Sequence, residues 1–309
     1  MQAEQDKRES LSALSRGSWW AALKRTVRES REDNLPDWAA ALTYYGVLSI
    51  FPALLLLVSA LGLIGRSATK PLLDNLDALP PGATRDIVRQ AIENLQGSQG
   101  GAGILFVVGL LVALWSASRY IAAFTRASNT IWDVEEGRPI WKTIPLRLAI
   151  TIVMLVMLAI AAVAVVVTGP LARWVAGLVG LSGSAVTVWD IAKWPVLFLV
   201  VVLMTALLYW TAPNVKQPGF RWLTPGCVIA VVLWVVVSAA FAFYVANFGS
   251  YNKTYGNLGG VIIFFVWFWL SNIAILLGAE FDAELERTRQ IAAGHPREQE
   301  PFVPPREEP

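Results

Sequence analysis

Apolar positions along this chain gather into six long runs, at 38–64, 102–122, 146–168, 188–211, 225–246 and 258–281. Each comes close to or exceeds the roughly 20 residues that a helix needs to cross a bilayer core. The runs are nearly free of charge. The pattern predicts an all-α polytopic membrane protein, a bundle of six transmembrane helices spanning 37–284. Shorter amphipathic patterns flank them. In the segment 1–36, Trp19, Trp20, Leu23 and Val27 form an apolar stripe among Lys24, Arg25, Arg28 and Arg31. Such a helix either lies in the headgroup plane, drawn to anionic lipid, or docks on the spans as a solvated helix. In the loop 66–101, Ile87, Val88, Ala91, Ile92 and Leu95 recur at helical spacing after the Pro80-Pro81-Gly82 turn. That reads as an amphipathic helix lying on the outer face or capping a cavity there. The tail 285–309 is charged and Pro-rich, and from His295 onward it has almost no apolar residues, which predicts disorder.

Charge orients the bundle. Six spans put both ends on one side, and with the N-terminus inside, 18 of the 25 Lys and Arg residues fall in cytoplasmic segments. The positive-inside rule therefore predicts N-in, C-in topology. The first 36 residues are polar, without a separate short apolar core or a cleavage site, so the first span is expected to remain as both signal and anchor. Composition agrees with the apolar runs. Of 309 residues, 55% are hydrophobic and 16% charged, against about 25% charged in a soluble domain. A net charge of +2 gives no basic face or stripe for nucleic acid, so none is expected as a partner.

Polar residues near the spans carry the most information, because an ionisable group at mid-bilayer costs about 3 kcal/mol or more. No span carries charge at mid-depth, which disfavours an ion pump built on a buried carboxylate relay. Charges gather at the predicted cytoplasmic ends instead: Asp37 on span one, Arg119 and Arg126 on span two, and Glu280, Asp282 and Glu284 on span six. Carboxylates at a helix C-terminus oppose the macrodipole and need another source of stabilisation. Pairing of Glu280 with Arg119 or Arg126 would supply it, and snorkelling into water is the alternative. Arg119, Arg126, Asn129 and Asp133 fall near one helical face, lining a vestibule or simply facing water. Pro52 is expected to kink span one, with Tyr44, Tyr45 and Ser49 just before the kink. Broken helices of this kind also occur in transporter binding sites. The turn "NFGSYNKTYGNLGG" between spans five and six reads as a tight or lid-like turn on the outer face.

Catalytic chemistry is thin. The single histidine, His295, lies in the tail, and the single cysteine, Cys227, lies in the fifth run, where it reads as a packing residue. There is no metal-ligand spacing, phosphate loop, G-x-S-x-G elbow or dinucleotide fingerprint. "GSQGGAG" at 97–103 lacks the Lys of a P-loop. No cofactor and no enzyme activity are expected.

Two stretches carry a family resemblance. "WAAALTYYGVLSIFPALLLLVSALGL" at 38–63 resembles the first span of the YihY/BrkB inner-membrane family, and "FGSYNKTYGNLGGVIIFFVWFWLSNIAILLGAEFDAELER" at 248–287 resembles its last loop and span. "RASNTIWDVEEGRP" at 126–139 fits its second cytoplasmic segment. The likeness covers residues 35–290. It implies a bacterial plasma (inner) membrane location, and it offers no established catalytic residues. Family members have carried the label ribonuclease BN, which belongs to a soluble metal-dependent enzyme, and the label virulence factor, which is a phenotype. Some are suspected of moving lipid or envelope material.

These readings converge on a protein that moves or binds a lipid-like or other amphipathic envelope molecule among membrane lipids. Its path would use Tyr44, Tyr45 and Pro52 of span one with Asn272 and Glu280 of span six, gated by Arg119 and Arg126. A non-transporting scaffold for envelope proteins is the second reading. The sequence leaves the oligomeric state open.

Overall fold

The computed structural model describes residues 16–64, 102–166, 172, 183–217, 223–247, 257–297 and 300–308. Among them are seven helices: α1 (Arg16–Glu32), α2 (Leu35–Ile64), α3 (Ala102–Ile131), α4 (Ile140–Val166), α5 (Gly183–Thr211), α6 (Pro225–Asn247) and α7 (Asn257–Ala292). Helices α3 to α7 each contain a stretch long and apolar enough to cross a membrane. The 30-residue α2 contains the first apolar run and continues through position 52. The surroundings of Pro52, the outer loop 66–101 and the turn 248–256 lie outside the described residues.

Helix boundaries follow local chemistry more than hydropathy. Helix α7 continues eleven residues past its apolar run, to Ala292. Past the apolar part, Glu284–Arg287 and Glu286–Arg289 pairs sit one turn apart, the spacing at which opposite charges support a helix. Gly294, at φ 107°, then ends it, with the Gly294 and His295 N–H groups bonded back to Ile291 and Gln290. Helix α3 ends the same way on Asp133, at φ 51°: the Asp133 and Val134 N–H groups reach Thr130 and Asn129.

Contacts group the chain into two compact units. One comprises Ala39–Ala123 and Val237–Asn272. Within it, Asn272 joins three helices: its Nδ2 donates to Thr43 Oγ1 of α2 (3.1 Å), and its Oδ1 accepts the Tyr120 hydroxyl of α3 (2.8 Å). Trp267 Nε1 donates to Ser238 Oγ between α7 and α6.

The other unit comprises Met1–Trp38, Phe124–Val236 and Ile273–Pro309. Here α4 packs on α5, and Cys227 is fully buried with its thiol directed at the Val202 carbonyl. The end of α5 is fully accounted for, as buried carbonyls must be. The Leu208 carbonyl accepts Ala212 N–H, Tyr209 accepts Gln217 Nε2, Trp210 accepts Arg306, and Thr211 and Ala212 accept Arg138. Asn214, fully buried, accepts the Glu307 N–H and donates to the Glu135 and Glu307 carbonyls, and its own N–H reaches Asn129 Oδ1.

The disorder expected of the tail does not hold over 300–308. Phe302 and Val303 are buried, Val215 bridges Pro305, and Arg306 donates to the Trp210 carbonyl at the α5 end and to the Val215 carbonyl beyond it. Composition misled because the tail docks on a preformed row of backbone acceptors and needs no core of its own.

Candidate functional site

Three carboxylates of α7, at positions 280, 282 and 284, are each held by a different part of the molecule. Asp282 closes the start of α6. Its Oδ1 accepts Gly226 N–H (2.7 Å), its other oxygen accepts the Thr224 hydroxyl, and Thr224 Oγ1 caps Cys227 N–H (3.1 Å). A carboxylate suits this end, where the helix dipole is positive. The approach is close enough that a Cβ on Gly226 or Gly278 would collide with the other's carbonyl oxygen. Glu284 accepts Arg25 Nε of α1 at 2.5 Å, and Arg287 sits between Glu284, Glu29 and Glu300. Together with a Trp19–Phe281 ring contact at 6.0 Å, these pairs fasten α1 to α7.

Glu280 is 1% exposed and hydrogen-bonds to the Asp33 carboxyl at the α1–α2 turn. Its Oε2 has no hydrogen-bond partner. Among the described residues it makes no ion pair, so the expected Glu280–arginine pairing is replaced by a carboxyl–carboxyl contact. Arg119 lies over the Trp115 ring at 5.5 Å, and Arg126 is exposed. The reason is geometric: Asn34 takes a left-handed turn (φ 53°) that brings α1 back along α7 and carries Asp33 to Glu280. Burial, followed by the charge of Asp133, pushes the Asp33 carboxyl up to about 6 from an ordinary 3.8, against the lowering effect of its Glu280 bond.

Beside these carboxylates is a cavity of about 120 Å³. Its walls are Trp132, Tyr209, Trp210 and Leu285, and its polar lining includes Ser128, Asp282, Glu286 and Arg289. Arg289 pairs with Glu286 at 2.8 Å, but its Nε and the Ser128 hydroxyl are buried without a hydrogen-bond partner. Unpaired buried polar groups are uncommon. Here two of them border one empty volume.

The residues expected to form a path fall elsewhere. Tyr44 is 58% exposed, its ring 5.3 Å from that of Tyr45. Asn272 is buried and occupied by Thr43 and Tyr120. None of Tyr44, Tyr45, Asn272 or Glu280 lines the cavity. Sequence reading missed Ser128, Trp132, Tyr209 and Arg289 as cavity residues. The signal within reach was Ser128 and Trp132 at one-turn spacing inside "RASNTIWDVEEGRP". Among the described residues no group of three or more His, Cys, Asp or Glu is placed to hold a metal.

The family model described as "Virulence factor BrkB" matches residues 26–302. A ribonuclease-like protein, YfkH, of Bacillus subtilis (strain 168) is 32% identical over 258 residues, 84% of this chain and 92% of that protein. A UPF0761 membrane protein of Alkalilimnicola ehrlichii is also 32% identical, over 87% of this chain but only 59% of its own length. Another, from Alteromonas mediterranea, is 27% identical over 84% of this chain and 85% of that protein. The chain thus spans about three fifths of one of these relatives and most of the other two. No solved structure matches.

Proposed function

For this chain, which belongs to the virulence factor BrkB family of membrane proteins, we propose a role in binding or moving an amphipathic, lipid-like envelope molecule across the bacterial inner membrane, with both termini cytoplasmic. The observation that carries this reading is the cavity with two orphaned buried donors, Ser128 Oγ and Arg289 Nε, set among aromatic walls. Apolar walls with a few convergent polar groups are what a ligand with an apolar body and a hydrogen-bonding head requires. At about 120 Å³ the cavity takes a headgroup-sized fragment, and the rest of such a ligand stays outside it. Arg289 and Ser128 would bind acceptor oxygens of that head, which favours an anionic group such as a phosphate or carboxylate.

The experiment is native mass spectrometry with lipidomics on gently purified protein, comparing wild type with Arg289→Gln and Ser128→Ala. An anionic lipid enriched on wild type and reduced at least tenfold on Arg289→Gln is the expected result. Equal lipid profiles for all three proteins, with no lipid flux in liposomes, would overturn the proposal and leave the scaffold reading.

A further inference from the structure

We infer that Asp33 and Glu280 form a one-proton site, a carboxyl dyad in which a single proton is shared between the α1–α2 turn and α7. Geometry carries the inference. Two carboxyls in hydrogen-bonding contact cannot both be ionised, since two acceptors alone make no bond, so one O–H must lie between them. The Glu280 side chain is 1% exposed, and its second oxygen meets no donor that would stabilise an anion. Asp33 is only half-buried and therefore connects the pair to water. The proton comes from solvent through Asp33, rests between the two oxygens, and leaves by the same route. No bond other than O–H is made or broken.

The surrounding charges reinforce one-proton occupancy. Glu29 and Glu32 reach the dyad from α1, Asp133 from the α3 end, and Glu284 from α7 itself, and all of these repel a second negative charge. The nearby cations are already committed. Arg25 holds Glu284, Arg28 holds Glu29 and Glu32, and Arg287 bridges Glu29, Glu284 and Glu300. The cluster therefore has cations on its rim and none at its centre. Loss of the proton sets two carboxylates against each other across the contact that closes α1 onto α7, so protonation and the position of α1 are linked.

The dyad is independent of the cavity ligand and is tested on the full chain without one. Infrared difference spectra in detergent, recorded against pH, would follow the C=O stretch of a protonated carboxyl above the amide I band. Wild type should show this band at neutral pH, and Glu280→Gln should lose it, because its amide donates to an ionised Asp33 without a shared proton. In parallel, the wild-type unfolding temperature should fall as pH rises from about 4, the ordinary value of Asp33, and should keep falling above about 6, where Asp33 ionises and the one shared proton is still held. The direction follows because the folded state holds a proton there that the unfolded chain has released. The slope should flatten in both Glu280→Gln and Asp33→Asn. If Glu280→Gln does not fold, Asp33→Asn alone decides. A band that survives in Glu280→Gln, or an unchanged pH slope in either variant, would overturn the inference.

Discussion

Asp282 of α7 accepts the Gly226 N–H in the first turn of α6, at 2.7 Å. Thr224, Pro225 and Gly226 make a conventional helix start, but the carboxylate that completes it lies on another helix, so one side chain sets both the cap and the α6–α7 contact. Asp282→Ala leaves the Gly226 donor and the Thr224 hydroxyl without partners. The expected loss is about 2 kcal/mol. Asp282→Asn should lose less than half of that, because an amide oxygen still accepts from Gly226. Reversible denaturation in mixed micelles measures both.

Gly226 and Gly278 face each other where α6 and α7 cross. A Cβ at either would meet backbone oxygen, and at Gly278 the Tyr209 hydroxyl as well, and backbone yields far less readily than a flexible side chain. Alanine at either position should cost about 3 kcal/mol or abolish folding. Gly260 supplies the contrast, since a Cβ there meets open space. Gly260→Ala should be neutral or stabilising by up to about 1 kcal/mol. If all three variants melt together, the close approach is not what these glycines serve.

The membrane class and the positions of the apolar helices were legible because hydropathy acts over 20-residue windows, and a helix satisfies its own backbone within each such window. The motif "RASNTIWDVEEGRP" was visible as a pattern, yet its purpose was not. Asn129 and Arg138 within it act on Asn214 and on the α5 carbonyls, more than 70 residues away. Glu280 was rightly singled out as a carboxylate needing a partner, and the partner was mistaken. Depth along the membrane pointed to arginines, whereas the left-handed Asn34 delivers Asp33. Such a turn depends on one backbone angle, which hydropathy does not register.

Arg138 closes the end of α5. Its guanidinium donates to the Thr211 and Ala212 carbonyls while binding Glu136 at 2.6 Å, and its side chain is almost wholly buried. Burial alone would lift the Glu136 carboxyl; Arg138 overrides this and holds it below its usual range. Arg138→Ala leaves the Thr211 and Ala212 carbonyls without that donor and Glu136 with only the Asn129 amide and a backbone N–H, for an expected loss of about 3 kcal/mol. Arg138→Lys should recover less than half, since a point ammonium cannot reproduce the planar fork. Thermal melts of the two variants in one detergent give the comparison.

Helix α1 has two working faces. Ala22, Trp19 and Arg25 hold it to α7, while Trp20, Leu23 and Val27 stay exposed, with Lys24, Arg28 and Arg31 along the same side. Burying the apolar stripe in the interface contributes about 25 cal/mol for each Å² removed from water, and basic residues at an anionic surface add about 1 kcal/mol each. That face is therefore expected to lie at the lipid headgroups while the opposite one grips the bundle. In a Cys227→Ala background, spin labels at Leu23→Cys and Val27→Cys in nanodiscs should be reached by oxygen far more readily than by a water-soluble nickel reagent. A label at Glu32→Cys should show the reverse. Replacing Lys24, Arg28 and Arg31 with Gln should shift the first two labels toward water in anionic nanodiscs and have little effect in neutral ones. Water-like accessibility at Leu23 and Val27 in the parent protein would mean that α1 only docks on α7 and touches no lipid.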